Sequence, residues 1–167
     1  SWHKTSIAAF RLLLLTGCRS SEVCAFRWDG LNMDFGTIRL ADSKTGAKTV
    51  HLGQAALEIV KRLPKVGAWM LPSKPDDQKP LNNFSLNNDW HKIQEALGLQ
   101  DVRIHDLRHT FASWAVMGGQ SLPVTGALLG HATPQTTNRY AHFASNPLRE
   151  AANMVCGEIA RAMGRGA

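Results

Sequence analysis

Apolar positions in the first stretch of the chain fall at helical spacing. Ile7, Phe10, Leu13 and Leu14 recur at steps of three and four, which predicts a helix ending near Gly17. Ser20, with Glu22 and Val23 behind it, marks a second helix start, so Arg19 falls between two helices, where backbone donors are free. Between residues 27 and 52 the period shortens. Thr37-Ile38-Arg39-Leu40 and Lys48-Thr49-Val50-His51-Leu52 read as strands, and the turn-rich Asp42-Ser43-Lys44-Thr45-Gly46 joins them. This predicts a small antiparallel hairpin or a three-stranded sheet, with Lys44 near its tip. Helical spacing returns over 54–63 through Ala55, Leu57, Ile59, Val60 and Leu63, and Pro64 stops it. Residues 72–80 hold three prolines and form a surface loop. Further helices are predicted over 85–97, from His105 to about Met117, from Ser121-Leu122-Pro123 to near Gly130, over 134–140, and from Pro147 to about Met163. The fold class is mainly α with a small antiparallel β-sheet (α+β). No internal repeat or low-complexity tract interrupts it.

Composition narrows the partner. A chain of 167 residues suits one domain with a sizeable core, and 44% hydrophobic residues mark a globular chain. A net charge of +6 and an isoelectric point of about 9.6 favour a polyanion. The longest apolar run, Leu12 to Leu15, is far too short to span a bilayer, and no signal-peptide cleavage pattern follows it, so no membrane partner is expected. Cys18, Cys24 and Cys156 are odd in number and lack metal-ligand spacing, which points to a reduced, cytoplasmic setting. The first residue is Ser1 rather than Met, as in a piece of a longer protein.

The chemistry concentrates near the C-terminal end. Within 36 residues stand His105-Asp106-Leu107-Arg108-His109, Leu128-Leu129-Gly130-His131 and Tyr140. Arginine offers phosphate a planar fork of donors. Histidine moves protons near neutral pH, and tyrosine can attack to form a covalent intermediate. Together these groups suit a phosphodiester. On a helix, His105 and Arg108 share a face and could reach one phosphate. His105 and His109 could ligate a metal, but the zincin pattern would put Glu where Asp106 stands, and no third ligand is evident, so no metal is expected. His131 follows a predicted helix end, whose free carbonyls favour a protonated imidazole; a capping histidine is the plain alternative. Tyr140 could be a packing aromatic, although Arg139 and His142 beside it fit that role poorly. Alone, Arg19 is a surface charge and Lys44 a turn lysine. Their order and spacing carry the argument.

Taken together, these motifs resemble the catalytic domain of the tyrosine recombinases, the phage integrase family. Thr16-Gly17-Cys18-Arg19-Ser20-Ser21-Glu22 resembles the first box, T-G-x-R-x-x-E. Ser43-Lys44-Thr45-Gly46 resembles the hairpin that carries the catalytic lysine. His105-Asp106-Leu107-Arg108-His109-Thr110-Phe111-Ala112 resembles H-x-L-R-H-T-F-A, and Leu128-Leu129-Gly130-His131 resembles L-L-G-H. Thr136-Thr137-Asn138-Arg139-Tyr140-Ala141-His142 resembles the tyrosine box, T-x-x-Y-x-H, at the family's usual step from His131. The resemblance covers nearly the whole chain, and five boxes in order are specific. Two departures stand out. Ala25-Phe26 and Arg27-Trp28 replace a leucine-rich end of the first box, and Pro123 and Gly126 would bend or shorten the helix before Leu-Gly-His.

The resemblance implies a tyrosine recombinase catalytic-domain fold, with residues 1–167 as a single catalytic domain. This would be the C-terminal domain of a longer recombinase, without the N-terminal core-binding domain. It implies a bacterial or phage-encoded integrase, a site-specific DNA recombinase. Such an enzyme cleaves and rejoins DNA through a covalent 3′-phosphotyrosine, without metal, cofactor or ATP. Tyr140 would be the nucleophile. Arg19 and Arg108 would bind the non-bridging oxygens, and Lys44 would protonate the leaving 5′-oxygen, with Lys48 as runner-up. His105 would assist proton transfer at the tyrosine, and His131 would donate to the phosphate. Glu22 and Asp106 are read as supporting groups, and His109 stands outside the catalytic set. The expected partner is double-stranded DNA, with self-association on it into a synaptic tetramer. The stripe Leu148, Ala152, Val155, Ile159 and Met163 would pack either on its own core or on a neighbouring protomer. A type IB topoisomerase shares this active-site logic, and a DNA-binding remnant without catalysis is a third reading. The Leu-Gly-His and tyrosine boxes favour the recombinase, and the occupied catalytic positions argue against decay.

Overall fold

The computed structural model describes residues 4–41, 46–73, 78–131 and 133–143, with residues 152, 154–157, 159 and 161 beyond them. Helix α1 (Lys4–Thr16) forms the centre of the main core. Ala9, Phe10, Leu12 and Leu13 are buried, and α2 (Ser20–Cys24), α3 (Gln54–Lys61) and α5 (Ile104–Met117) all pack on it. Because neighbours surround most of α1, its buried stripe is wide. Leu12 lies inside, whereas Leu14, expected on the apolar face, is exposed.

Among the described residues the sheet has three antiparallel strands in the order β1 (Leu31–Asn32), β2 (Thr37–Leu40), β3 (Lys48–His51). Ile38 pairs with Leu31 on one side and Val50 on the other, and Leu40 pairs with Lys48. Ile38, Leu40 and Val50 are buried, so one face of the sheet closes the core. The two-residue β1 is too short to leave a period in the sequence. The hairpin tip, residues 42–45, lies outside the described residues, and the expectation for Lys44 falls there.

Helix α4 (Asn83–Leu97) starts two residues before the expected position because Asn82 caps it, its side chain accepting from the Ser85 backbone N–H at 2.8 Å. The buried Gln94 amide donates to the carbonyls of Leu99 (3.4 Å), Gln100 (3.2 Å) and Val102 (2.8 Å), and the Trp90 indole N–H also donates to Val102 (2.8 Å). These bonds hold the loop that delivers α5. Helices α6 (Leu122–Leu129) and α7 (Pro134–Asn138) follow. Pro123 occupies the first turn of α6, where its missing N–H leaves no bond unmade. Ser73 and Lys79 bridge the flanks of the proline-rich loop, Ser73 N–H donating to the Lys79 carbonyl at 2.8 Å, while residues 74–77 lie outside the described set. The described residues between 152 and 161 are helical, and the rest of that expected helix is not described.

A second, smaller core gathers Ala112, Val116, Leu129 and Tyr140, with Phe111 and Leu122 against it. The motif residues meet where this cluster joins the main core.

Candidate active site

Arg108 crosses between the two cores. It is buried, and its Nη1 donates to the Gly17 carbonyl at 2.6 Å. Gly17 ends α1 in the left-handed region, at φ +63°, which turns that carbonyl toward Arg108. A Cβ on Gly17 would lie 2.4 Å from the Phe111 ring and 2.8 Å from the Leu129 Cδ2, so glycine is required for space as well as for φ.

The next residues place the second arginine. Arg19 is the N-cap of α2, and Glu22 is its N3 residue. Glu22 accepts from the Arg19 backbone N–H (2.9 Å) and from its guanidinium (2.9 Å). The same carboxylate accepts from Lys48 Nζ at 2.9 Å, and Lys48 also donates to the Leu129 carbonyl at 3.1 Å. The Glu22 and Lys48 side chains are 4% and 7% exposed, so this is a buried ion pair. Burial works to raise the Glu22 carboxyl. The Lys48 and Arg19 hydrogen bonds and charges outweigh it and hold the group below its ordinary value. Lys48 is thus held by Glu22 and the Leu129 carbonyl. Burial, followed by the Arg19 charge, pushes the Arg108 guanidinium down from its ordinary value, which places the two arginines within electrostatic reach.

His131 is delivered by the end of α6. Gly130 N–H donates to Ala127 (3.0 Å) and His131 N–H to Gly126 (2.9 Å), a Schellman pattern with Gly130 at φ +69°. His131 Nδ1 lies 2.8 Å from Thr137 Oγ1. That contact needs Gly126, because a Cβ there would stand 2.7 Å from the same oxygen. The glycine that departs from the family pattern therefore makes room for a histidine partner. The expectation of a protonated His131 is corrected. Burial, then the charges of Arg108, Arg19, Arg139 and Lys48, pull it to about 4, so it is neutral at pH 7.

Tyr140 is buried in the small core, at 4% exposure. Its hydroxyl lies 2.6 Å from His109 Nδ1. His105 packs edge-on against His109, with ring centroids 4.9 Å apart. Burial raises the Tyr140 phenol above its ordinary value, with Arg139 and Arg108 only partly opposing it. Asp106 is the N3 residue of α5 and accepts from the Arg103 backbone N–H at 2.8 Å, which fixes the start of the helix that carries His105, Arg108 and His109. A cleft of about 350 Å³ opens beside these groups, lined by Cys18, Ser20, His91, Arg103, His105 and Arg108.

The structure thus brings Arg19, Arg108, His105, His131 and Tyr140 to one seam, with Glu22 and Asp106 behind them; Lys44 lies outside the described residues. Sequence reasoning missed the placement of His109 against the Tyr140 hydroxyl and of Thr137 against His131. Helical spacing put His109 one turn after His105, but nothing local paired it with a residue 31 positions away.

Residues 2–146 match the phage integrase family. The integrase of Salmonella phage P22 is 30% identical over 157 residues, covering 85% of this chain and 40% of that protein. Tyrosine recombinase XerD of Pasteurella multocida (strain Pm70) is 28% identical over 152 residues, covering 85% of this chain and 51% of that protein. The chain therefore spans about half the length of the curated relatives it matches. The solved catalytic domain of bacteriophage HP1 integrase is 28% identical with a TM-score of 0.65, covering 87% of this chain and 79% of that one. The XerH site-specific recombinase, in a post-cleavage complex with its difH substrate, shares the fold at a TM-score of 0.70 and 21% identity, over 92% of this chain and 47% of that one. By this match, and by the boxes gathered at the seam, the chain belongs to the phage integrase family of tyrosine recombinases.

Proposed function

We propose that the chain is the catalytic part of a site-specific DNA recombinase that cleaves and rejoins double-stranded DNA through a covalent bond between Tyr140 and a 3′-phosphate. The observation that carries this reading is the cluster of cations around a neutral His131. Arg19, Arg108, Arg139 and Lys48 act on one imbalanced site, whose nearby carboxylate, Glu22, is already bonded to Arg19 and Lys48. Such a site has more cations than carboxylates among the described residues and suits an anion such as a phosphodiester beside Tyr140.

In this mechanism Arg19 and Arg108 hold the non-bridging oxygens and stabilise the charge of the pentavalent transition state. With the Thr137 hydroxyl as the donor to Nδ1 of His131, Nε2–H is left as the donor to the phosphate. Tyr140 attacks phosphorus, Lys44 protonates the departing 5′-oxygen, and His105 supports the proton exchange on the tyrosine side. Because the phosphotyrosine keeps the ester bond energy, a second 5′-hydroxyl can reverse the step without ATP or a metal. Met154, Val155 and Ile159, all exposed, form an apolar face on the last described helix, which a neighbouring copy covers in a synaptic tetramer.

The fork of Arg108 tests this role. Arg108→Lys keeps the charge and loses the planar donors. Adduct formation on a nicked duplex should fall at least about 100-fold, the scale for removing one transition-state donor. Salt-dependent DNA binding, measured by anisotropy, should stay within a few-fold. Equal loss of binding and cleavage would assign Arg108 to structure instead.

A further inference from the structure

We propose that His109 is a catalytic residue, the base that takes the Tyr140 proton as the phenol attacks. The inference rests on the recombinase reading above and deepens it. The His109 Nδ1 lies 2.6 Å from the Tyr140 hydroxyl, in a contact between the buried tyrosine and a half-buried imidazole. A phenol has one proton to give, and a neutral imidazole nitrogen with its hydrogen on Nε2 is the complementary acceptor. Among the described residues, His109 is the side chain bonded to the phenol oxygen, and His105 packs its ring against His109 at 4.9 Å.

The surroundings keep His109 in the accepting form. Burial lowers it first, and Arg139, which follows α7, lowers it next. Arg103 and Arg108 add to this from α5 and its cap, and Asp106 opposes them. Among the described residues, His105 and Tyr140 also face it. His109 is therefore neutral at physiological pH. Tyr140, raised by burial, does not ionise there by itself. A base in contact resolves this opposition, because the proton then moves only as the oxygen–phosphorus bond forms.

The step balances without a further reactant. The phenol O–H bond breaks and its proton joins the His109 Nδ1 lone pair. The phenolate oxygen forms a bond to phosphorus. The bond from phosphorus to the 5′-oxygen breaks, and that oxygen leaves with the electron pair and receives a proton from Lys44. When a 5′-hydroxyl attacks the phosphotyrosine, the His109 imidazolium returns its proton to the departing phenolate.

His109→Gln keeps a hydrogen-bond acceptor for the phenol but cannot take its proton. In the full-length protein on a nicked suicide substrate, this variant should form the Tyr140 adduct about 100-fold or more slowly, the usual reach of a positioned base. DNA affinity and melting temperature should be unchanged. The wild-type rate should fall on the acid side of the His109 titration, and that limb should be missing in the variant. Fluorotyrosine at position 140, the chain's one tyrosine, provides a second readout. Its more acidic phenol should restore much of the rate to His109→Gln and little to wild type, which a purely structural bond would not do. If wild type makes the adduct and His109→Gln matches it in rate and pH profile, or gains nothing from fluorotyrosine, His109 only packs and the inference is wrong alone. If wild type makes no Tyr140 adduct, the recombinase reading and the inference fall together. A His109→Gln protein that does not fold leaves the wild-type fluorotyrosine series decisive: a rate insensitive to phenol acidity supports concerted transfer to His109, and a rate that rises steeply with it overturns the proposal.

Discussion

At the residue scale the site is a set of polar groups whose partners come from distant elements. Glu22 was legible as a support because it stands at the third position of a helix start, where a carboxylate answers the free N–H of the cap. Lys48 was partly legible. Counting back two from Val50 puts it on the inward face of β3, and an inward lysine must meet an acceptor. Its meeting with Glu22 was not legible, because only the packing of β3 over α2 sets that pair. The same holds for His109, whose partner depends on how the turn at 141–143 that follows Tyr140 returns across α5. His131 gives a pH test. Its folded value, about 4, lies below the ordinary 6.5, so the unfolded chain binds the proton more readily. The contribution of this group to stability is therefore present above about pH 6.5 and is lost as pH falls toward 4. In an NMR titration, His131 should protonate near 4 in the free protein and shift upward when a phosphate mimic such as vanadate fills the site. A value that vanadate leaves unmoved would mean that no anion binds beside His131.

At the element scale, helix ends do the placing. The N-terminus of α2 presents Arg19, the C-terminus of α1 turns a carbonyl to Arg108, and the Schellman end of α6 presents His131. The sequence marked all three ends through Gly17, Ser20 and Gly130, so the scaffold of the site was readable from capping chemistry. Element bounds slipped where a cap was overlooked, as at Asn82, or where an element is too short to show a period, as for β1. Gly17 and Gly98 allow the two demands on a glycine to be separated. Both have positive φ, +63° and +67°, but a Cβ on Gly98 meets open space while one on Gly17 strikes Phe111 and Leu129. By urea unfolding, Gly98→Ala should cost about 1–2 kcal/mol, the left-handed penalty alone. Gly17→Ala should cost roughly 1–3 kcal/mol more from overpacking. Equal costs would show that the Phe111 and Leu129 side chains yield freely, and that Arg108 is not held by a tight corner.

At the scale of the whole molecule, two hydrophobic cores meet at a polar seam, and Tyr140 belongs to the smaller of them. The mixed fold class was readable from the switch in hydrophobic period, but the division into two cores was not. It arises because α5 contributes Leu107 to one cluster and Ala112 and Val116 to the other, a choice fixed by three-dimensional packing. Met154, Val155 and Ile159 are exposed, and in the proposed assembly another copy covers them. Ile159→Glu should leave single-site DNA binding intact and reduce the assembly on paired sites in sedimentation velocity. Unchanged assembly would remove this face from the synaptic contact. The central claim, that Tyr140 bonds to DNA phosphate, is tested most directly by incubating the full-length protein with a nicked duplex of its attachment site and resolving the products under denaturing conditions. The account predicts a protein–DNA adduct whose DNA-linked peptide contains Tyr140 and which Tyr140→Phe abolishes. An adduct that survives Tyr140→Phe, or none from the wild-type protein, would contradict it.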